Sequence, residues 1–401
     1  MHIIDRMSEP NAVTLAEALA AGPVVLDGGM SNQLEAAGHD LSDELWSARL
    51  LVDEPEAIEQ AHAAYFAAGA QVAITASYQA TFEGLARKGI GREQAAGLLR
   101  RSVELARQAQ ETPLSVSNGQ RNQGTDLSVS GRQSNQDAGL TVRDGHGNRR
   151  TGLSVSDGRG NRDAGLTASD GHGNRHRYRR AGLSVSDGQS NRDAGLTVSD
   201  GHGEQPDQRW VAASVGPYGA ALADGSEYRG RYGLSVAELE TFHRPRIEAL
   251  TGAGPDVLAL ETIPDTDEAL ALLRIVDSLG VPAWLSYTIS GDRTRAGQPL
   301  DEAFGLAASN SAIIAVGVNC CAPSDVSDAV KLASSVTGKP VVVYPNSGEV
   351  WDASARAWQG PNTFDAGLVQ SWVLAGARLV GGCCRVGPTG IAAIRAALNS
   401  G

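Results

Sequence analysis

Short apolar runs recur along the chain, and each one ends in small or polar residues. Runs of this length, bounded by turn-forming residues, are typical of buried β-strands. Eight segments fit the pattern: Val24 to Gly28, Val72 to Ser77, Trp210 to Gly216, Val257 to Thr262, Ala283 to Ile289, Ile313 to Asn319, Pro340 to Pro345 and Arg378 to Cys383.

Helix-like stretches separate these runs. They are Pro55 to Ala68, Arg92 to Gln110, Val236 to Gly252, Thr266 to Leu279, Leu300 to Ala308, Ser324 to Ser335, Thr363 to Ala375 and Thr389 to Leu398. In the second stretch Leu99, Val103 and Ala106 share one helical face. Strands that alternate with helices imply parallel pairing, and eight such units predict an α/β fold of the (β/α)8 TIM-barrel class.

A repetitive block interrupts this alternation between the second helix and the third strand. The phrase Leu-Ser-Val-Ser and its variants recur from Leu114 in steps of 13 residues, with one longer step after Leu166. Each unit has too few apolar residues to offset the entropy of ordering it, so we predict that 114–208 is a disordered, low-complexity insertion. An ordered array of short strands remains the alternative. The barrel then comprises 12–113 and 209–401. The insertion enters on the face opposite the carboxyl ends of the strands, where the active site of this fold lies.

Composition and charge narrow the class of protein. The 401 residues carry a formal net charge of -12, and such acidity argues against a nucleic-acid or anionic-membrane partner. The segment from Met1 to Pro10 lacks the apolar core of a signal peptide, and no segment has the length of apolar sequence that a membrane helix needs. Four cysteines are too few for a disulfide scaffold in a chain this long. We therefore expect a cytoplasmic protein with reduced thiols.

Three of the four cysteines lie at the carboxyl ends of predicted strands. Cys320 follows the sixth strand, Cys383 is the last residue of the eighth, and Cys384 comes directly after it. The carboxyl ends of barrel strands share one rim, which is where the catalytic groups of this fold lie. Three thiolates with an open fourth position are typical of a catalytic zinc site, so we predict Zn²⁺ held by Cys320, Cys383 and Cys384. Cys321 should point elsewhere and serve packing, and buried, unreactive cysteines are the alternative for the other three.

Several motifs together carry a family resemblance. They are Leu26-Asp27-Gly28-Gly29-Met30-Ser31 with Leu45-Trp46-Ser47-Ala48, Ser214 to Ala220 with Asp224-Gly225-Ser226-Glu227-Tyr228, Glu261-Thr262-Ile263-Pro264, Gly317-Val318-Asn319-Cys320, Tyr344 to Gly348, and Gly381 to Arg385. With these motifs the chain resembles the zinc-dependent homocysteine S-methyltransferases. It is most similar to the branch that uses S-methylmethionine, often also S-adenosylmethionine. The repeat block is a departure from the family pattern.

The resemblance implies a reaction and roles for individual residues. Zinc held by the three cysteines would bind homocysteine as its thiolate, the nucleophilic form, and a sulfonium donor would supply the methyl group to give methionine. Glu261 and Asp27 would bind the homocysteine ammonium. Structural roles are the alternative, with Glu261 paired to a barrel arginine and Asp27 in a turn beside Gly28. Trp46, Tyr78 and Tyr218 could face the sulfonium through their rings, or could simply pack.

Two other functions fit parts of the sequence. A zinc-dependent hydrolase on the same barrel would use a metal-bound water and a carboxylate base, but such sites generally prefer histidine and carboxylate ligands. A repeat-bearing binding protein would use His146, His172 and His202, each of which lies in an Asp-Gly-His-Gly phrase. A solvated loop explains those histidines more simply.

Overall fold

The computed structural model describes 13–41, 47–111, 208–352 and 357–400, together with six short strands between 139 and 200. The chain divides into two compact units. One unit comprises Met1–Leu114 and Gln208–Gly401, and the other comprises Ser115–Asp207. The first unit is the barrel that the sequence predicts.

Eight parallel strands form the wall of the barrel. They are β1 (Val24–Val25), β2 (Val72–Ile74), β3 (Trp210–Val215), β4 (Val257–Ile263), β5 (Ala283–Tyr287), β6 (Ile313–Asn319), β7 (Val341–Tyr344) and β8 (Ala377–Val380). Their order in the sheet is β1-β8-β7-β6-β5-β4-β3-β2. A parallel bridge between Leu26 and Val72 joins the two ends of this order, so the sheet closes on itself. The predicted (β/α)8 class is confirmed.

Twelve helices surround or cap the described part of the barrel. They are α1 (Leu15–Ala21), α2 (Met30–Ala36), α3 (Ser47–Asp53), α4 (Pro55–Ala67), α5 (Phe82–Arg87), α6 (Arg92–Glu111), α7 (Val236–Thr251), α8 (Thr266–Leu279), α9 (Leu300–Ala308), α10 (Pro323–Thr337), α11 (Val369–Ala375) and α12 (Pro388–Asn399). Leu99, Val103 and Ala106, which were predicted to share one face of α6, are all fully buried.

The helix predicted from Thr363 begins later than expected. The backbone N–H of Thr363 donates to the carbonyl of Ser347, and Asp365 caps a short 3-10 turn by accepting from the N–H of Gly367 at 2.8 Å. Regular α-helix begins only at Val369. Side chains that satisfy backbone groups locally compete with helix formation, and here they delay it by six residues.

The barrel interior has an apolar lower part and a polar upper part. Leu15 and Leu19 of α1 pack against its amino-terminal end, in one cluster with Trp210 and Trp284. Near the carboxyl ends of the strands several buried residues are polar: Ser214, Glu261, Ser286 and Asn319. Buried polar groups need partners. The fold thus places a hydrogen-bonded polar layer directly beneath the catalytic rim.

The unit Ser115–Asp207 contains short antiparallel strands. Gly139–Arg143, Arg150–Ser154, Thr167–Ser169 and Arg175–Arg177 form a four-stranded sheet, and Ala181–Leu183 pairs with Val198–Asp200. The other residues of the insertion, including His146, His172 and His202, lie outside the described residues. The predicted disorder of this segment remains a prediction.

The barrel residues that flank the insertion lie next to each other. The side chain of Gln110 donates to the carbonyl of Arg209 at 2.6 Å, and Arg209 donates back to the carbonyl of Gln110 at 2.9 Å. The two ends therefore meet between α6 and β3, as a connection at the amino-terminal end of the strands requires. In the described part of the chain, no helix combines the length and apolar character that a membrane crossing requires.

Candidate active site

Three cysteine sulfurs converge at the carboxyl ends of β6 and β8. The Sγ atoms of Cys320, Cys383 and Cys384 all lie within 4.8 Å of one another. The Sγ atoms of Cys320 and Cys384 are 3.7 Å apart. In the parts of the chain that the structure describes, no other group of three or more His, Cys, Asp or Glu side chains is placed to hold a metal ion.

The backbone at Cys320 adopts an uncommon conformation. Its φ is 51°, in the left-handed region that non-glycine residues seldom enter. Two contacts hold it there: the N–H of Cys320 donates to the carbonyl of Tyr344 at 3.2 Å, and the Thr288 hydroxyl donates to the carbonyl of Cys320 at 3.2 Å. Such backbone strain tends to occur at functional sites, where the surrounding structure imposes it.

Asn346 joins the two cysteine-bearing loops. Its N–H donates to the carbonyl of Cys321 at 2.9 Å, and its Oδ1 accepts from the N–H of Cys384 at 3.1 Å. The N–H of Cys383 donates to the carbonyl of Pro345 at 2.8 Å. Gly29 also packs closely here, since a Cβ on it would lie 2.7 Å from the carbonyl oxygen of Cys383. The loops after β1, β6, β7 and β8 thus fix the cysteines in place.

The sulfur geometry fits a tetrahedral metal ion. Zinc–sulfur bonds of about 2.3 Å in a tetrahedron place two sulfurs about 3.8 Å apart. The 3.7 Å between Cys320 and Cys384 is close to that value without any rearrangement. Thiol hydrogen bonds from Cys383 and Cys384 lower the pKa of Cys320 well below its usual value, which favours a thiolate in the cluster. The three residues can hold a soft divalent metal.

Cys321 lies apart from this cluster. It is buried among the apolar side chains between the strands and the surrounding helices. Burial raises the pKa of its thiol well above the usual value. A neutral thiol in an apolar environment serves packing, as the sequence predicts.

Two buried carboxylates lie in the same upper layer of the barrel. Glu261 is 7% exposed, and its Oε1 accepts a hydrogen bond from the hydroxyl of Ser214. Asp27 is 1% exposed; its Oδ2 accepts from the N–H of Ile74 at 2.8 Å, while its Oδ1 has no partner among the described residues. Burial raises the pKa of both groups, that of Glu261 to about 7, and the charge of Glu261 contributes to the rise for Asp27.

The position of Glu261 depends on Asn319, the residue before Cys320. The Oδ1 of Asn319 accepts from the N–H of Thr262 at 2.7 Å, and its Nδ2 donates to the Thr262 hydroxyl at 2.8 Å. These bonds hold Thr262 at a φ of 59°, again in the left-handed region. Asn319 therefore connects the carboxylate strand β4 to the cysteine strand β6.

The three predicted aromatic residues have different positions. The ring of Tyr78 packs against Gly216, and its hydroxyl is hydrogen-bonded to Thr262. Burial, followed by the charges of Glu227 and Cys320, raises its pKa well above the usual value. Tyr218 instead packs in an aromatic cluster, with ring centroids 5.2 Å from Tyr232 and 4.8 Å from Phe242. Trp46 lies outside the described residues.

The structure adds residues that the sequence reasoning did not single out. The hydroxyl of Tyr228 lies 3.4 Å from the Sγ of Cys320, and the Arg295 guanidinium lies 5.8 Å from the centroid of the Tyr228 ring. Glu227, beside Tyr228, has a pKa that burial raises to about 7. Glu227 and Tyr228 belong to the Asp224 to Tyr228 motif, which could have identified them from the sequence. Arg295 follows a short hairpin after β5 and had no such signal.

A family model decides the family of the chain. The model described as homocysteine S-methyltransferase matches residues 24–144 and 172–398, which is most of the chain. The chain belongs to the homocysteine S-methyltransferase family. Its cysteine cluster lies within the matched residues.

Curated members of this family are similar over nearly the whole chain. The homocysteine S-methyltransferase of Escherichia coli strain K12 is 36% identical over 378 residues, covering 93% of this chain and 94% of that protein. Homocysteine S-methyltransferase 1 of Arabidopsis thaliana is 34% identical over 383 residues, covering 93% and 92%. The resemblance in the motifs is thus confirmed at the level of the family.

Solved structures agree on the fold. The metallated form of the homocysteine methyltransferase MmuM from Escherichia coli superposes with a TM-score of 0.65 at 34% identity, covering 94% of this chain and 96% of that one. Its apo form gives a TM-score of 0.58 at 30% identity. The closed barrel described above is therefore also the fold of this solved family member.

Proposed function

We propose that this protein is a homocysteine S-methyltransferase that moves a methyl group from a sulfonium donor to homocysteine and forms methionine. One observation carries the proposal: three cysteine sulfurs lie within 4.8 Å of one another on the barrel rim, above buried Asp27 and Glu261. Family membership supports the same activity. The three sulfurs argue against a zinc hydrolase, because metal sites that activate water generally prefer histidine and carboxylate ligands.

We assign the metal as zinc, held by Cys320, Cys383 and Cys384. The all-sulfur donor set and the 3.7 Å between two of the sulfurs support zinc over harder ions such as magnesium. When bound, zinc would supply a Lewis acid that lowers the pKa of a substrate thiol and favours its nucleophilic thiolate form. Asn346 keeps the two cysteine-bearing loops in register for this role.

Asp27 and Glu261 recognise the ammonium of homocysteine in this proposal. The Oδ1 of Asp27 is buried without a partner in the described structure, so it lacks the compensation that a buried polar atom ordinarily has. A bound ammonium supplies a cation and hydrogen-bond donors to both carboxylates, which favours their ionised forms against the effect of burial. Ser214 orients Glu261 for that contact.

The methyl transfer needs no general acid. The homocysteine sulfur forms a bond to the methyl carbon, and the carbon–sulfur bond of the sulfonium breaks with its electron pair passing to the donor sulfur. The donor therefore leaves as a neutral thioether, without a proton. The protein contributes alignment of the two sulfurs, and alignment of reactants is a large part of the catalysis of such displacements.

The proposed donor is S-methylmethionine, with S-adenosylmethionine as a second one. We propose that Trp46, Tyr78 and Tyr218 face the sulfonium through their rings; the burial of Tyr78 within reach of the charges of Glu227 and Cys320 supports this role for that residue. The chemistry needs reduced thiols, which supports the cytoplasm as its compartment. We further propose that 114–208 takes no part in the reaction.

The direct test measures methionine formation from homocysteine by the zinc-loaded protein. S-methylmethionine and S-adenosylmethionine are supplied side by side at equal concentrations. We expect methionine to accumulate in step with consumption of the donor and to require homocysteine. Absence of methionine with either donor, in a folded and zinc-loaded protein, would refute the proposed activity.

A further inference from the structure

The loop after β3 folds over the cysteine cluster. Its 3-10 turn Ser226–Tyr228 places the Tyr228 hydroxyl 3.4 Å from the Sγ of Cys320. The turn is tightly packed, because a Cβ on Gly219 would lie 2.4 Å from the backbone nitrogen of Glu227. This fixed loop brings two further groups to the site.

The first group is the carboxylate of Glu227. Its Oε2 is buried and has no hydrogen-bond partner within the described part of the chain. Burial raises the pKa of this carboxyl to about 7, and the charge of Asp224 adds to the rise. A carboxylate in this setting is compensated by a cation. Asp27 and Glu261 already account for one ammonium, so Glu227 is a third acidic group that the homocysteine pocket does not require.

The second group is the guanidinium of Arg295. It lies 5.8 Å from the centroid of the Tyr228 ring. Its side chain is exposed, and no carboxylate of the described residues forms a salt bridge with it. Arg385, the nearby arginine after the cysteine pair, is by contrast paired with Glu349 at 3.2 Å. Arg295 is therefore available to an anionic group of a ligand.

We infer that Glu227, Tyr228 and Arg295 form the binding subsite for the amino-acid end of the methyl donor. Glu227 contacts the α-ammonium, Arg295 contacts the α-carboxylate, and Tyr228 separates the subsite from the sulfur cluster. This inference rests on the proposed function, since it assigns the second amino-acid substrate of that reaction. It makes Glu227 and Arg295 determinants of donor specificity: a sulfonium without an amino-acid group gains nothing from either residue.

The test compares Glu227→Gln and Arg295→Gln with the wild-type protein in steady-state kinetics, varying S-methylmethionine and homocysteine separately. We expect each variant to raise the KM for S-methylmethionine at least about tenfold, the size of a lost charge-assisted hydrogen bond. The KM for homocysteine and the zinc content should remain within about twofold. Arg295 is exposed, so its variant stays informative if Glu227→Gln fails to fold.

Two matched controls isolate the charge effect. Asp224→Asn removes a charge from the same loop but keeps an oxygen to accept from the Ser226 N–H. Arg293→Gln removes a charge from the hairpin that precedes Arg295. Arg293→Gln should leave the KM for S-methylmethionine unchanged, and Asp224→Asn should not raise it, because the charge of Asp224 only opposes the ionisation of Glu227.

A second methyl donor distinguishes a loss of donor recognition from a general loss of catalytic activity. Trimethylsulfonium carries a transferable methyl group but no amino-acid end, so Glu227→Gln and Arg295→Gln should leave its second-order rate unchanged while lowering that of S-methylmethionine. Equal losses with both donors, or a rise in the KM for homocysteine alone, would overturn the inference. A wild-type protein that makes no methionine would instead refute the proposed function.

Discussion

The charge of Glu261 is central to acceptor recognition, and Glu261→Gln tests it with little change of shape. A glutamine keeps a side-chain oxygen that can accept the hydrogen bond from Ser214. The polar layer beneath the rim should therefore remain intact. What the substitution removes is the negative charge that faces the homocysteine ammonium.

The size of the effect follows from burial and from the neighbouring carboxylate. A hydrogen bond to a charged group contributes about 1.5–3 kcal/mol. Glu261 is 7% exposed, so water screens its charge little, but Asp27 retains part of the attraction. We expect a loss of roughly 2 kcal/mol, which is about a thirtyfold rise in the KM for homocysteine. The KM for the donor should change little.

The ionisation of Glu261 fixes the direction in which the KM for homocysteine changes with pH. Burial raises the pKa of Glu261 to about 7, and only the ionised form attracts an ammonium. In the wild-type protein the KM for homocysteine should fall as the pH rises through that value, and this component should be missing in Glu261→Gln. Because burial disfavours the charged form, ionisation of Glu261 as the pH rises through about 7 destabilises the ligand-free fold. The variant should thus unfold at an equal or higher temperature than the wild type at alkaline pH.

The assay is methionine formation with homocysteine as the varied substrate, together with zinc analysis and thermal unfolding. Glu240→Gln is a suitable control, since Glu240 pairs with Arg274 on the outer surface of α7. An unchanged KM for homocysteine in Glu261→Gln would show that Glu261 has a structural role only. Loss of zinc in that variant would also contradict the reasoning.

Three further predictions concern the metal, the insertion and the polar layer. Cys383→Ala should remove most of the bound zinc and essentially all methyl transfer, whereas Cys321→Ala should retain both; metal analysis of the two purified variants decides this. Joining Pro113 to Arg209 through a short Gly-Ser linker should preserve activity, because Gln110 and Arg209 already contact each other; a shortened protein that fails to fold would contradict this. Asn319→Ala should lower the free energy of unfolding by about 3–5 kcal/mol, because it leaves several buried groups without partners, and denaturant titration measures it.

The strand pattern and the cysteine positions were enough to predict the fold and the cluster of three cysteines. Alternating apolar runs and helical stretches specify the barrel, and a residue that follows a barrel strand must lie on the common rim. Cys320 and the pair Cys383 and Cys384 therefore come together whatever the details of packing.

Contacts made by irregular backbone could not be predicted in the same way. Tyr228 reaches Cys320 because the loop after β3 folds back across the rim, and Arg295 reaches Tyr228 through a separate hairpin. The left-handed backbone at Thr262 arises from the Asn319 side chain, not from a local preference of threonine. The pattern likewise does not reveal that the ring of Tyr218 packs against Tyr232 and Phe242.

X-ray absorption at the zinc edge tests the central claim most directly, because it counts the sulfur atoms around the metal. The zinc-loaded protein alone should show three sulfur ligands, from Cys320, Cys383 and Cys384, with one lighter atom. Adding homocysteine should raise the count to four sulfurs at about 2.3 Å. A sulfur count that homocysteine leaves unchanged, or a site dominated by nitrogen and oxygen, would contradict the account.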